Sequence, residues 1–197
     1  MKLLFVNACV SQRGEHSRTK ALADAFLETF CAGHPEAEIE TVTPAALLAL
    51  RPFDAEMVRE RDALSGVGAF EAPLFDLARQ FRGADRIVVA APFWDLTFPS
   101  ALRVYIEYIC ANGIAYHYDA TGCHGDCRAE KLVYLTSGGD VERAESLGVL
   151  YWRQLAAMFG IGTFAHVFAG GLDLNPARTP ALLEEAKTLA RQAAEMF

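Results

Sequence analysis

Arg86-Ile-Val-Val-Ala-Ala-Pro92-Phe93-Trp94-Asp95-Leu96-Thr97-Phe98-Pro99 opens as an unbroken apolar run, turns at proline and aromatic residues, and leads into a helical pattern from Ser100 to Cys110. A strand apolar along its length must be covered on both faces, as the central strands of a parallel sheet are. Lys131-Leu-Val-Tyr-Leu-Thr136-Ser137-Gly138-Gly139-Asp140 repeats the arrangement with a glycine turn. Open parallel sheets bind ligands in the crevice beyond the carboxyl ends of their strands. Both turns are therefore expected in one crevice, offering aromatic surface and free backbone N–H groups to a flat, polar ligand.

Working outward from these two runs, the chain alternates β and α patterns. Lys2 to Asn7 reads as a first strand and Glu38 to Val42 as a half-exposed edge strand. Ile87 to Ala91, Leu132 to Thr136 and Thr163 to Ala169 complete a set of five. Helices are predicted after Ser17, which reads as an N-cap, and over 70–81, 100–110, 147–159 and 180–196. Pro44 to Ser65 is a charged excursion with weak helical periodicity, and Asn112 to Ala129 an irregular insertion with a β-like stretch from Ile114 to Tyr118. The alternation predicts an α/β fold: a flavodoxin-like three-layer sandwich around a five-stranded parallel sheet in the order 2-1-3-4-5. A six-stranded dinucleotide fold would need another βα unit and a G-x-G-x-x-G turn, and the chain has neither.

At 197 residues the chain is expected to form one domain, 1–197, with a core that needs no staples. The formal charge of −7 argues against nucleic acid, whose phosphates demand Lys and Arg. No apolar run reaches the roughly 18 residues of a membrane span, and Met1 to Val6 is too short for a signal-peptide core. With no export signal, the five irregularly spaced cysteines (Cys9, Cys31, Cys110, Cys123, Cys127) are expected to be reduced thiols in the cytoplasm.

Gly14-Glu15-His16-Ser17-Arg18-Thr19 joins the first strand to the first helix. A helix N-terminus attracts anions, and here Ser17 and Thr19 add hydroxyls and Arg18 a cation. The Walker spacing is absent, so a monophosphate fits better than a triphosphate. A plain cap at Ser17 with a solvated Arg18 is the competing reading, and His16 reads as a polar loop residue.

Taken together, the three loops resemble those of the flavodoxin-like NAD(P)H dehydrogenase (quinone) family, which includes FMN-dependent NADH azoreductases. The resemblance runs over nearly the whole chain and is most specific in Ser17-Arg18-Thr19, Ala91-Pro92-Phe93-Trp94-Asp95-Leu96 and Thr136-Ser137-Gly138-Gly139. It implies that Ser17, Arg18 and Thr19 hold the FMN phosphate, with Cys9 near it where relatives place a hydroxyl residue. Pro92, Phe93, Trp94, Asp95 and Leu96 would lie along the isoalloxazine ring, with backbone N–H groups near its N5 and O2/O4 atoms. Thr136, Ser137, Gly138 and Gly139 would approach it from the other side. Asp95 stands where Asn is more usual, placing an anion near the flavin and making it harder to reduce. The glycines of the Ser-Gly-Gly-Asp loop sit one place early, and Pro44 to Ser65 matches no motif.

The resemblance further implies a homodimer and a ping-pong cycle in which NADH or NADPH reduces FMN and a quinone, azo or nitroaromatic acceptor reoxidises it. No catalytic side chain is expected, because the cofactor carries the chemistry. Phe98, Tyr116 and Tyr118 join Trp94 as candidates to stack on planar substrates, with core packing the alternative. Cys123 and Cys127 have one half of a zinc spacing but no second pair, so no metal is expected. Two other functions share this fold: an electron-transfer flavodoxin, disfavoured by the lack of a T-x-T-G-N loop, and a regulatory domain without flavin.

Overall fold

The computed structural model describes residues 1–11, 13–141 and 145–197. Its strands are β1 (Lys2–Asn7), β2 (Glu38–Val42), β3 (Arg86–Ala90), β4 (Tyr116–Asp119), β5 (Gly122–Gly125), β6 (Lys131–Ser137) and β7 (Thr163–Ala169). The helices are α1 (Arg18–Gly33), α2 (Pro44–Ala49), α3 (Ala55–Gly66), α4 (Asp76–Gly83), α5 (Ser100–Ile109), α6 (Leu147–Met158) and α7 (Thr179–Glu195). Five strands form one parallel sheet in the order β2-β1-β3-β6-β7, which is the expected 2-1-3-4-5 once the β4–β5 hairpin is set aside.

Alternation along the central strands feeds two cores, one on each face. Leu4, Val6, Ile87, Val89, Leu132 and Tyr134 point into the core covered by α2, α4, α5 and α6. Leu3, Phe5, Val88, Ala90, Val133 and Leu135 point to the other face, where α1 supplies Leu22, Phe26 and Phe30, and α7 supplies Ala186, Ala190 and Ala194. Double coverage explains the unbroken apolar runs, since each neighbouring side chain is buried on an opposite face. Full burial of an aliphatic or aromatic side chain contributes about 1.5–3 kcal/mol, so these strands fix the register of the sheet.

Two sequence readings need correction. Residues 44–65 form two capped helices, with Thr43 Oγ1 accepting from the Ala46 N–H at 3.2 Å and Asp54 Oδ1 from the Met57 N–H at 2.9 Å. Each helix buries a single apolar side chain, Leu47 in one and Met57 in the other, so the caps rather than an apolar stripe mark them. The helix expected over 70–81 begins at Asp76 and follows a short 3-10 turn over Pro73–Phe75. The Arg79 guanidinium donates to the carbonyls of Phe70 and Ala72, which ties up acceptors that a longer helix would have used internally.

The β4–β5 hairpin, pairing Tyr116 with Gly125 and His117 with His124, projects from the amino end of the sheet. Bonds just beyond it fix this placement: the Arg128 N–H donates to Arg82 O at 2.9 Å and the Glu130 N–H to Asp85 O at 3.2 Å, immediately before β3 and β6 begin.

Candidate cofactor cleft

The turns after β1, β3 and β6 meet at the carboxyl edge of the sheet. After β1, a 3-10 turn over Gly14–His16 delivers Ser17 to the N-terminus of α1, and Ser17 Oγ caps the helix by accepting from the Lys20 N–H at 3.4 Å. The first N–H groups of α1, at Arg18 and Thr19, have no intrahelical acceptors and carry the positive end of the helix dipole. After β3, the Phe93 N–H donates to Ser137 O at 2.9 Å, binding the second turn to the third. Thr19 Oγ1 and Ser137 Oγ share a hydrogen bond at 2.6 Å, binding the first turn to the third.

Trp94 to Thr97 closes a tight turn, with the Thr97 N–H donating to Trp94 O at 2.8 Å. Both central residues adopt the left-handed conformation, Asp95 at φ 48° and Leu96 at φ 70°. That region costs a residue with a Cβ roughly 1–2 kcal/mol, and such strain is concentrated at ligand sites. The turn leaves the N–H groups of Asp95 and Leu96 without acceptors among the described residues, and keeps Trp94 41% exposed.

A cleft of about 210 Å³ lies between these turns, lined by Ser11, Arg13, His16, Ser17, Arg18, Phe93, Trp94, Ser137, Gly138, Gly139 and Asp173. Two cations, several hydroxyls and a helix N-terminus make one end of it suited to a phosphate. Phe93 and Trp94 make the other end suited to a planar ring. Neighbouring side chains leave no room for a Cβ at either glycine: one at Gly138 would stand 3.0 Å from the Phe168 ring, and one at Gly139 would collide with the Asp173 carboxylate. The donor set and this cradle fit a phosphorylated flat heterocycle. The cleft is smaller than the roughly 300 Å³ typical of enclosing pockets, so such a ligand would keep part of its ring outside.

Of the residues singled out from the sequence, Ser17, Arg18, Phe93, Trp94, Ser137, Gly138 and Gly139 line the cleft together. Thr19 and Thr136 are buried behind it, and Pro92, Asp95 and Leu96 build its turn without lining it. Cys9 is also buried, and desolvation pushes its thiol up to about 11. The free N–H groups belong to Asp95 and Leu96, whereas that of Phe93 is spent on Ser137.

Of the aromatic candidates for stacking, Trp94 lines the cleft, whereas Phe98, Tyr116 and Tyr118 are not brought to it. Phe98 is only 8% exposed and packs against Tyr151 and Trp152, with ring centroids 5.8 and 6.5 Å away. Tyr116 and Tyr118 sit on the hairpin at the amino end of the sheet, in edge contact with each other. Cys127 Sγ donates to Ala115 O at 3.6 Å while Cys123 is exposed, and no group of three His, Cys, Asp or Glu among the described residues is arranged around a metal.

Sequence reasoning missed Ser11, Arg13 and Asp173 and passed over His16. The first two lie just before the Gly14–Thr19 loop, in the same connection from β1 to α1, and that nearness was the available signal. Asp173 follows Gly170-Gly171 after β7, another loop on the carboxyl edge, and only that position could have flagged it.

A family model described as the flavodoxin-like fold (Flavodoxin_2) matches residues 1–193. An FMN-dependent NADH:quinone oxidoreductase of Clostridium beijerinckii is 31% identical over 203 residues, spanning 100% of this chain and 99% of that protein. Among solved structures, an azoreductase from Bacillus anthracis str. Sterne superposes with a TM-score of 0.86 at 24% identity, with both chains covered completely. An FMN-dependent NADH-azoreductase from Bacillus anthracis str. Ames Ancestor, solved in complex with FMN, superposes with a TM-score of 0.81 at 18% identity, covering 99% of this chain and 98% of that one.

Proposed function

The chain belongs to the flavodoxin-like family whose model spans residues 1–193, and from that premise we propose that it is an FMN-dependent oxidoreductase carrying electrons from NADH to quinones or azo compounds. The observation that carries this reading is the convergence of Arg18, Trp94 and Gly138 on one cleft. They come from three separate turns, and each supplies a different need: charge for a phosphate, a face for a ring, and room for close approach.

FMN, when bound, supplies the hydride chemistry, accepting a hydride from a nicotinamide and passing two electrons to an acceptor. The protein's part is to bind and orient. Ser17, Arg18, Arg13 and the first N–H groups of α1 hold the phosphate end. The unpaired N–H groups of Asp95 and Leu96 donate to the polar edge of the ring, where charge builds up on reduction. Trp94 offers stacking surface, worth about 0.5–1.5 kcal/mol beyond area. The nearby Asp95 carboxylate opposes that build-up of charge and makes reduction harder.

The enzyme is a homodimer in this reading. Support comes from an open apolar hollow of about 480 Å³ next to the strained turn, where Phe98 and Tyr151 meet the exposed side chains of Leu147 and Leu150. Exposed leucines beside aromatic rings suit the apolar face of a second copy. A second copy there would close the shallow cleft and supply aromatic surface, a role open to Tyr116 and Tyr118 across the interface. A cytoplasmic location fits the five unpaired cysteines.

The test is spectroscopic and kinetic. Purified protein mixed with FMN should retain it through gel filtration and then oxidise NADH continuously with menadione as acceptor. Retention of FMN without NADH oxidation would favour an electron-carrier flavodoxin instead. Failure to retain flavin would favour a regulatory domain on the same fold.

A further inference from the structure

The cleft contains a carboxylate in a place where a phosphate site has no evident use for one. Arg18 Nη1 donates to Asp173 Oδ1 at 2.6 Å, and both side chains remain partly exposed. Asp173 is held there by its backbone. Its N–H donates to Gly139 O at 3.0 Å, the Leu172 N–H to Gly138 O at 3.4 Å and the Gly171 N–H to Asp140 O at 2.9 Å. Gly139 completes the arrangement, because any Cβ there would displace the Asp173 carboxylate. The loop after β7 is thus fastened to the glycine turn after β6, and its acid is paired with a cation of the phosphate end.

Resting on the FMN reading above, we propose that Asp173 is a positioning residue that sets the affinity of the cleft for the cofactor's phosphate by competing for Arg18. A phosphate monoester carries nearly two negative charges at neutral pH and offers Arg a bidentate acceptor. A half-exposed ion pair contributes little in water, so the incoming phosphate can take Arg18 from Asp173. The exchange has two costs. The ion pair is lost, and the released carboxylate stays close to a dianion that repels it. Asp173 therefore makes FMN binding weaker and release faster than the rest of the cleft would give, while holding Arg18 over the cleft when no phosphate is present.

Equilibrium titration of the flavin-free protein, followed by flavin fluorescence, tests this with FMN and with riboflavin, the same ring without the phosphate. Asp173→Asn should bind FMN about 3-fold tighter or more and riboflavin unchanged, whereas Asp173→Glu, which keeps the charge, should not tighten FMN. The unfolding temperature of flavin-free Asp173→Asn should stay close to that of the parent, since the pair is exposed. Unchanged or weaker FMN binding by Asp173→Asn would overturn the proposal, as would equal tightening of riboflavin. Failure of the parent protein to bind FMN at all would instead overturn the reading of the cleft on which this rests.

Discussion

Leu96 and Asp95 show how a single residue's conformation bears on the site. A branched side chain at φ 70° is costly, and nothing packs over Leu96, which is 64% exposed. The turn persists because Pro92 to Thr97 is held at both ends, by Ser137 and by the Trp94–Thr97 pair. Leu96→Gly should relieve the strain and raise unfolding stability by about 0.5–1 kcal/mol in chemical denaturation, after the entropy cost of glycine is counted. Arg18→Ala would remove the proposed charge-assisted contact to phosphate and should weaken FMN binding about 10-fold or more by fluorescence titration, with riboflavin little affected. Trp94 and the Ser137–Gly139 turn were readable from the sequence because each is a local pattern ending an apolar strand. Asp173 was not, since its partner Arg18 lies 155 positions away and no local pattern joins them.

At the scale of elements, the sheet strands and the helices over 100–109, 147–158 and 179–195 were legible, whereas the pieces between β2 and β3 and the β4–β5 hairpin were less so. Lys2–Asn7, Glu38–Val42 and Thr163–Ala169 match their expected limits, because burial on one or two faces leaves a direct imprint on residue order. Helices α2 and α3 were obscure because caps and a few buried contacts such as Leu47 and Met57 hold them, rather than a wide apolar stripe. The β4–β5 hairpin is seated by a backbone contact that only coordinates reveal. A Cβ on Gly125 would collide with backbone atoms of Phe159 and Gly160, at the end of α6. Backbone on both sides leaves little room to yield, so Gly125→Ala should cost about 2–3 kcal/mol and lower the unfolding temperature by roughly 5–10 °C in a thermal scan. An unchanged unfolding temperature would show that the hairpin is not anchored in this way.

For the whole molecule, burial of thiols gives a pH signature. Desolvation raises Cys9 and Cys110 to about 11 and Cys127 to about 12. Unfolded thiols ionise near 8.5–9, so below that range both states are protonated and pH has no effect through these groups. Above it the unfolded chain loses protons that the native one keeps, and stability falls as pH rises towards 11. Urea midpoints measured from pH 8 upward should decline over that window, and less steeply in Cys9→Ala. Cofactor binding acts in the opposite direction. FMN at about 100 times its dissociation constant should add about 2.7 kcal/mol, seen as a rise in unfolding temperature.

A crystal structure of the FMN complex tests the central claim most directly. The phosphate should lie against Ser17, Arg18 and the start of α1, with one side of the tricyclic ring along Trp94 and its polar edge at the Asp95 and Leu96 N–H groups, and with Gly138 and Gly139 beside it. Flavin bound in the apolar hollow by Phe98 and Leu150, or phosphate seated away from Arg18, would contradict the account.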